Sequence, residues 1–325
     1  MIKIALKFLL AFALCYWLFT SGKLDFSLVT KSFQQGYLWL LGIAFFISHL
    51  LLNAYRFRGL LIAKSKEKIS FSKVFSFDAV GSFFSVILPG AVAGDVIRFF
   101  YYKNLSKKLP PPTIASVILL DRFMGLLGLM SLGTFVCLFQ LDTIKSINPA
   151  LLSLVYTNIF LMLASASFIV IVFSDLIPQE SFLIKILSYL QRWPKLASTF
   201  SELLLLRISL GDLFKSLILS ILSQTVTIAC FWALASPFIP SSVTFLNLFT
   251  IIPIGFIGAS LPIAPAGLGV GHLFFESLFN MLHVDHGASL YNLFFIVNVV
   301  ICLLGFFPYM MIKNELKNEV VEVAV

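Results

Sequence analysis

The sequence predicts an all-α polytopic membrane protein. It has about six full transmembrane helices and two opposed re-entrant helical hairpins, arranged as an inverted repeat. Three observations predict this. The 325 residues are 59% hydrophobic and only 12% charged, with a mean hydropathy of +1.00, whereas soluble domains carry about 25% charged residues. Apolar segments of membrane-crossing length recur along the whole chain. Two of them have proline and glycine at their centres and are flanked on both sides by loops of the same charge character, so neither reads as a simple crossing.

Composition also excludes whole classes of function. The longest polar stretch, about 174–212, is shorter than the roughly 50 residues an ordinary soluble domain needs. Any activity therefore belongs to the membrane part. The net charge of +8 sits in short loops between apolar spans. There it sets topology and meets anionic lipid, so no nucleic-acid partner is expected. Cys15, Cys137, Cys230 and Cys302 stand singly in apolar segments, without metal-ligand spacing. No nucleophile elbow, Walker loop, dinucleotide fingerprint or zinc-protease motif occurs. The expectation is a protein that is not an enzyme and has no catalytic residues, cofactor or metal.

The first span, about 4–20, follows Lys3 and reads as an uncleaved helix, because Thr20-Ser21-Gly22 is only a weak cleavage site. A loop with Lys23, Asp25 and Lys31 leads to the second span, about 37–55. The dense basic loop after it, with Arg56, Arg58, Lys64, Lys66, Lys68 and Lys73, belongs in the cytoplasm. The segment 75–98 breaks at Pro89, Gly90 and Gly94, and the loop beyond is basic again. It reads as a hairpin that enters from the cytoplasm and returns, each arm too short for about 30 Å at 1.5 Å per residue. Pro110-Pro111-Pro112 starts the third span, about 113–139, and the fourth is about 150–173.

The stretch 174–212 reads as an amphipathic linker on the cytoplasmic face. The fifth span, about 213–236, precedes a second broken segment, 246–282. Its breaks are Pro262, Pro265, Gly267, Gly269 and Gly271, and its flanking loops lack Lys and Arg. It reads as a hairpin entering from outside. The last span, about 290–312, returns to a cytoplasmic tail, 313–325. With both termini inside, nineteen of the 23 Lys and Arg lie at or near the cytoplasmic face, Lys23, Lys31 and Lys145 lie outside, and Arg122 is buried. The whole is one membrane domain of two halves, 1–140 and 150–312, each span, span, hairpin, span. Opposed repeats with broken helices are a recurrent transporter plan, with substrate near the midplane.

The candidate site residues are ionisable groups at membrane depth, where charge is expensive and rarely faces lipid. Asp95 and Arg98 follow the first break. Asp95 either caps the helix after the turn or meets a ligand, and Arg98 is expected to snorkel toward the cytoplasm. Asp121 and Arg122 are adjacent on one helix, about 100° apart, so each needs a partner elsewhere. Asp95 or Asp78 is the expected partner of Arg122. The pair then either locks hairpin one to span three or offers an arginine to a lipid phosphate. His272 and Glu276, four apart after the second break, form either a head-group or proton-relay pair or a self-satisfied polar pair. His49 and Asn53 have the same spacing and suit an interhelical hydrogen bond. His283, Asp285 and His286 read as a wet loop and not a metal site.

These residues sit in motifs that resemble a known family. LPGAVAGDVIRFF at 88–100, SVILLDRFMGLLGL at 116–129, LPIAPAGLGVGHLFFESLF at 261–279 and NAYRFR at 53–58 resemble the transmembrane, flippase-like domain of the lysylphosphatidylglycerol synthases and its stand-alone relatives. The resemblance implies a domain that binds aminoacylated phospholipid or moves it between leaflets of a bacterial or archaeal plasma membrane. In two-part relatives a cytosolic aminoacyl-transferase domain follows; this chain is expected to be a stand-alone member without it. Where the family often has Glu after Gly-Leu-Gly-Val-Gly, this chain has His272, with Glu276 one turn later. Expected partners are membrane lipids, anionic or aminoacylated, and a separate cytosolic transferase. The leading function is phospholipid translocation, with Arg98 and Arg122 meeting the phosphate and Asp95 and Glu276 an amine. The alternative is a non-transporting subunit that presents lipid to the transferase.

Overall fold

The computed structural model describes Tyr16, Thr20 and residues 26–88, 93–105, 109–173, 206–259 and 268–312. The rest of the first span, linker residues 174–205, the tail, and the breaks Pro89, Gly90, Pro262, Pro265 and Gly267 lie outside the described residues.

All regular structure among the described residues is helical. In chain order it comprises α1 (Phe26–Phe33), α2 (Gly36–Ser65), α3 (Phe71–Ile87), α4 (Ala93–Leu105), α5 (Pro111–Leu138), α6 (Leu141–Ile147), α7 (Pro149–Phe173), α8 (Leu210–Ala235), α9 (Phe245–Ala259), α10 (Val270–Met281) and α11 (Gly287–Leu303). After a turn at Leu304 and Gly305 the last helix resumes to Ile312. Five of these segments are long and apolar enough to cross a membrane: α2, α5, α7, α8 with its terminal 3-10 turn, and Gly287–Ile312. They coincide with the second to sixth spans read from the sequence. The chain is a multi-pass all-α membrane protein.

Local chemistry explains the ends. Pro111 and Pro112 occupy the first turn of α5, where no N–H is needed. Ser209 caps α8, its Oγ accepting from the Asp212 N–H at 3.1 Å. α2 stops at Lys66, which turns left-handed and donates its N–H to the Ile62 carbonyl at 2.9 Å. α2 therefore runs ten residues beyond the predicted end at 55, and part of the expected basic loop is helix. The expected loops before span two and after span three likewise contain the short helices α1 and α6.

Both broken segments fold back on themselves. α3 and α4 run antiparallel, with Gly81 against Gly94, Asp78 against Arg98 and the Val74 carbonyl against Tyr102. In α9 and α10, Gly255 and Gly258 receive the rings of Phe275 and Phe274. These helices have 17, 13, 15 and 12 residues, about 18–26 Å at 1.5 Å per residue, each short of a bilayer core of about 30 Å. Gly269, with φ 78°, supplies the left-handed backbone at the start of α10. The two arms of the first hairpin, α3 and α4, run over 71–87 and 93–105, and Arg98 lies within the return arm, paired with Asp78.

The two halves pack in a pattern that survives their exchange. α2 packs on α8, the second span of each half. α8 meets α5 as α2 meets α11, and α9 meets α5 as α3 meets α11. Among the described residues two large apolar cores result. One joins α9, α10 and α11 to the Phe46 end of α2; the other joins α3, α4 and the start of α5 to the Phe57 end. Between them the α2–α8 contact is polar. His49 Nδ1 lies 2.7 Å from Thr227 Oγ1 and 2.8 Å from Ser223 Oγ, and Ser223 Oγ donates to Asn53 Oδ1 at 3.0 Å. Small and hydroxyl-bearing residues let helices approach closely where lipid supplies no hydrophobic drive.

Candidate functional site

Six ionised side chains from four helices meet at the second core. Arg56 comes from α2, Asp78 from α3, Asp95 and Arg98 from α4, and Asp121 and Arg122 from α5. Three acids and three arginines alternate, so their formal charges balance. At its centre, Arg98 Nε donates to Asp78 Oδ1 at 2.8 Å, Nη1 to Asp95 Oδ1 at 3.4 Å, and Nη2 lies 3.8 Å from Asp121 Oδ2. The guanidinium carbon sits 4.4 Å from the Phe57 ring centroid, a cation–π contact. Tyr102 Oη lies 2.8 Å from Asp78 Oδ1 and 3.1 Å from the Val74 carbonyl.

The two ends of the network differ. At the inner end, Arg56 Nε donates to Asp121 Oδ1 at 2.8 Å and Nη1 to Ser220 Oγ of α8 at 3.0 Å. At the outer end, Arg122 Nε donates to Asp95 Oδ2. The Arg122 side chain is 50% exposed, against 6% for Arg56 and 13% for Arg98. Among the described residues its two terminal nitrogens have no hydrogen-bond partner.

Backbone packing holds this arrangement. A side chain on Gly94 would strike the Gly81 carbonyl and Ser85 Oγ, so α3 and α4 meet at backbone distance and carry Asp78 to Arg98. Across the bundle, a side chain on Gly128 would strike Ser220, the same residue that accepts from Arg56, so α5 and α8 also meet closely there.

The structure thus brings together Asp95, Arg98, Asp121 and Arg122, and pairs Arg122 with Asp95, one of its two expected partners. Three expectations need correction. Arg122 is not the buried arginine, because α5 turns it toward the protein surface; Arg56, expected in a loop, is the buried one. Arg98 does not snorkel outward, because three carboxylates surround it. His272 and Glu276 stand apart from the network and from each other's hydrogen bonds. His272 Nδ1 accepts from the Gly269 N–H at 3.4 Å, and its Nε2 faces Asn292 Oδ1 at 3.4 Å. Glu276 Oε2 accepts from the Ala288 N–H at 3.0 Å, so the carboxylate caps the start of α11. Gly271 is a packing glycine: a Cβ there would lie 2.7 Å from Tyr291 Oη.

Sequence reasoning missed Arg56 as a site residue. A signal existed, since His49, Asn53 and Arg56 lie at i, i+4 and i+7 on one stripe of α2. No His, Cys, Asp and Glu cluster able to hold a metal occurs among the described residues.

The sequence that carries these helices and charged residues matches a known family. The family model described as the lysylphosphatidylglycerol synthase TM region matches residues 4–309. The chain belongs to that family. No curated protein matches it significantly. As a member of the lysylphosphatidylglycerol synthase transmembrane-region family, the chain has a membrane, lipid-related role. The matched residues contain the whole charge network and both hairpins.

Proposed function

We propose that the protein is a translocase for phospholipid headgroups, taking anionic or aminoacylated phospholipid and performing no covalent chemistry of its own. Arg122 carries this reading. It lies eleven residues into α5, about 17 Å along the helix, near the middle of a span. Charge at that depth is costly unless paired or placed on a polar path. Asp95 pairs one nitrogen, the side chain is half exposed, and the two terminal nitrogens have no partner among the described residues, so the guanidinium can take a phosphate bidentately. The neutral network behind it lets Arg122 exchange Asp95 for a phosphate without stranding a charge, since Arg98 still faces Asp95. Family membership supports a lipid substrate. In this reading the protein lies in the plasma membrane of a bacterium or archaeon with both termini cytoplasmic, and a separate transferase supplies aminoacylated lipid.

The test is reconstitution of the full chain into vesicles holding fluorescent phosphatidylglycerol, with flip-flop followed by a membrane-impermeant quencher. The wild type is expected to raise the rate, and Arg122→Ala to abolish the gain while eluting as folded protein. No gain for the wild type with anionic, aminoacylated or zwitterionic lipid would overturn the reading. So would equal loss of transport and of folded protein in Arg122→Ala.

A further inference from the structure

The basic end of the bundle, where α2 ends and α8 begins, holds a second polar feature. Between these two helices lies an open groove of about 380 Å³. Arg56, Arg58 and Lys66 line it from α2, and Asp212, Lys215 and Ser216 from α8. Four cations therefore face one carboxylate, and the Asp121 contact offsets only the charge of Arg56. The nearest approach of Lys215 to Asp212 is 3.6 Å, with the Lys215 side chain 77% exposed, a weak pair. Ser216 is 3% exposed, and its Oγ has no hydrogen-bond partner among the described residues. A buried hydroxyl without a partner is unusual and costly, and rotation about the Ser216 Cα–Cβ bond toward the groove would let an acceptor seated there relieve it.

The surroundings identify the acceptor. An excess of cations around an uncommitted hydroxyl suits an anion with several oxygens. The groove walls between the charges are apolar, at Ile62, Ala63 and Leu219. Towards the membrane interior the same two helices expose Leu51, Ile218 and Leu222 to their surroundings. A ligand with a charged head and apolar tails fits that sequence of surfaces.

We propose that this groove is a phosphate-binding site, seating the headgroup phosphate of an anionic phospholipid from the leaflet at the basic end. The site deepens the transport reading without depending on flux. Arg56 belongs both to the groove and to the charge network, so a seated headgroup lies one arginine away from the residues that end at Arg122.

The experiment is equilibrium binding of fluorescent phosphatidylglycerol to the purified full chain in uncharged detergent. Unlabelled phosphatidylglycerol should displace the probe and diacylglycerol should not. Replacing both groove lysines, Lys66→Gln with Lys215→Gln, should weaken binding roughly thirtyfold, taking each basic residue at its usual worth near anionic lipid. Lys68→Gln with Lys73→Gln removes the same charge from exposed positions outside the groove lining and should change binding less than about twofold. Ser216→Ala should weaken binding several-fold and preserve folding. Displacement by millimolar inorganic phosphate would keep the phosphate site and assign it to free phosphate; resistance to it assigns the site to the lipid headgroup. Equal weakening by the two double variants, or displacement by diacylglycerol, overturns the proposal. Binding is read without transport, so a chain that binds but moves no lipid would refute translocation alone. A chain that moves lipid with binding untouched by the groove variants would refute the groove alone.

Discussion

Arg56 and Asp121, 65 positions apart in the chain, meet at 2.8 Å with only 6% of either side chain exposed. The pair ties α2 to α5, and the Arg56 contact with Ser220 adds α8. Three crossing helices are thus joined at one guanidinium.

Breaking that pair from one side should be severe. Arg56→Met or Asp121→Leu alone should cost about 3–5 kcal/mol, because each strands a buried charge. The double variant should recover most of the loss, since both charges leave together. Thermal unfolding of the four proteins in one detergent measures this. Additive losses in the double variant would show that the two residues are uncoupled.

The first hairpin depends on backbone contact at Gly94. Gly94→Val should destabilise by about 1–3 kcal/mol or more, because the Gly81 carbonyl cannot yield as a flexible side chain does. Gly59→Ala offers the contrast. Nothing lies within 4 Å of an added Cβ at Gly59, inside the C-terminal part of α2, and the change should stabilise by about 0.5–1 kcal/mol. Melting curves that rank the two variants the other way would contradict the close approach of α3 and α4.

Glu276 should matter for stability and not for lipid choice. Glu276→Ala removes the carboxylate that accepts from the Ala288 N–H at the start of α11, at a cost of about 0.5–2 kcal/mol. Flip-flop rates for anionic, zwitterionic and aminoacylated lipids should keep their order. A changed order would return Glu276 to the headgroup site.

The polar crossing of α2 and α8 should be worth little per bond. Thr227→Val removes one hydroxyl facing His49, and its loss should be about 0.6 kcal/mol, the usual scale inside membranes. His49→Leu should cost more, about 1–3 kcal/mol, since it takes a partner from Thr227, Ser223 and Asn53 together. A double-mutant cycle between these positions reads the coupling directly.

Much of this was legible because membranes restrict what a sequence can do. The second to sixth spans follow from apolar length alone, and the hairpins follow from Pro89-Gly90 and from the run of Pro and Gly at 262–271, since such residues cannot sit in a lipid-facing helix. The Arg122–Asp95 contact was within reach because a charge near mid-span must find an opposite one. Arg56 was misplaced because loop charge counting treats every basic residue near a span end as solvated. It does not see that Asp121, on another helix, waits at the same depth. The Glu276 contact was out of reach for a related reason: spacing places it beside His272, but its carboxylate accepts from the Ala288 N–H at the start of α11.

The sequence by itself determined that this protein crosses a membrane several times, doubles back twice, and carries ionisable groups at depth. Those facts follow from hydropathy, helix-breaking residues and the cost of burying charge, all local properties of the chain. Only the tertiary structure decided which arginine is enclosed, which faces outward, and that α2 and α8 frame a basic groove around the Ser216 hydroxyl, unpartnered among the described residues. Exposure and pairing depend on the rotation of each helix against its neighbours. That rotation is set by backbone contacts at glycines such as Gly94 and Gly128, whose partners Gly81 and Ser220 lie on other helices and meet them only in space.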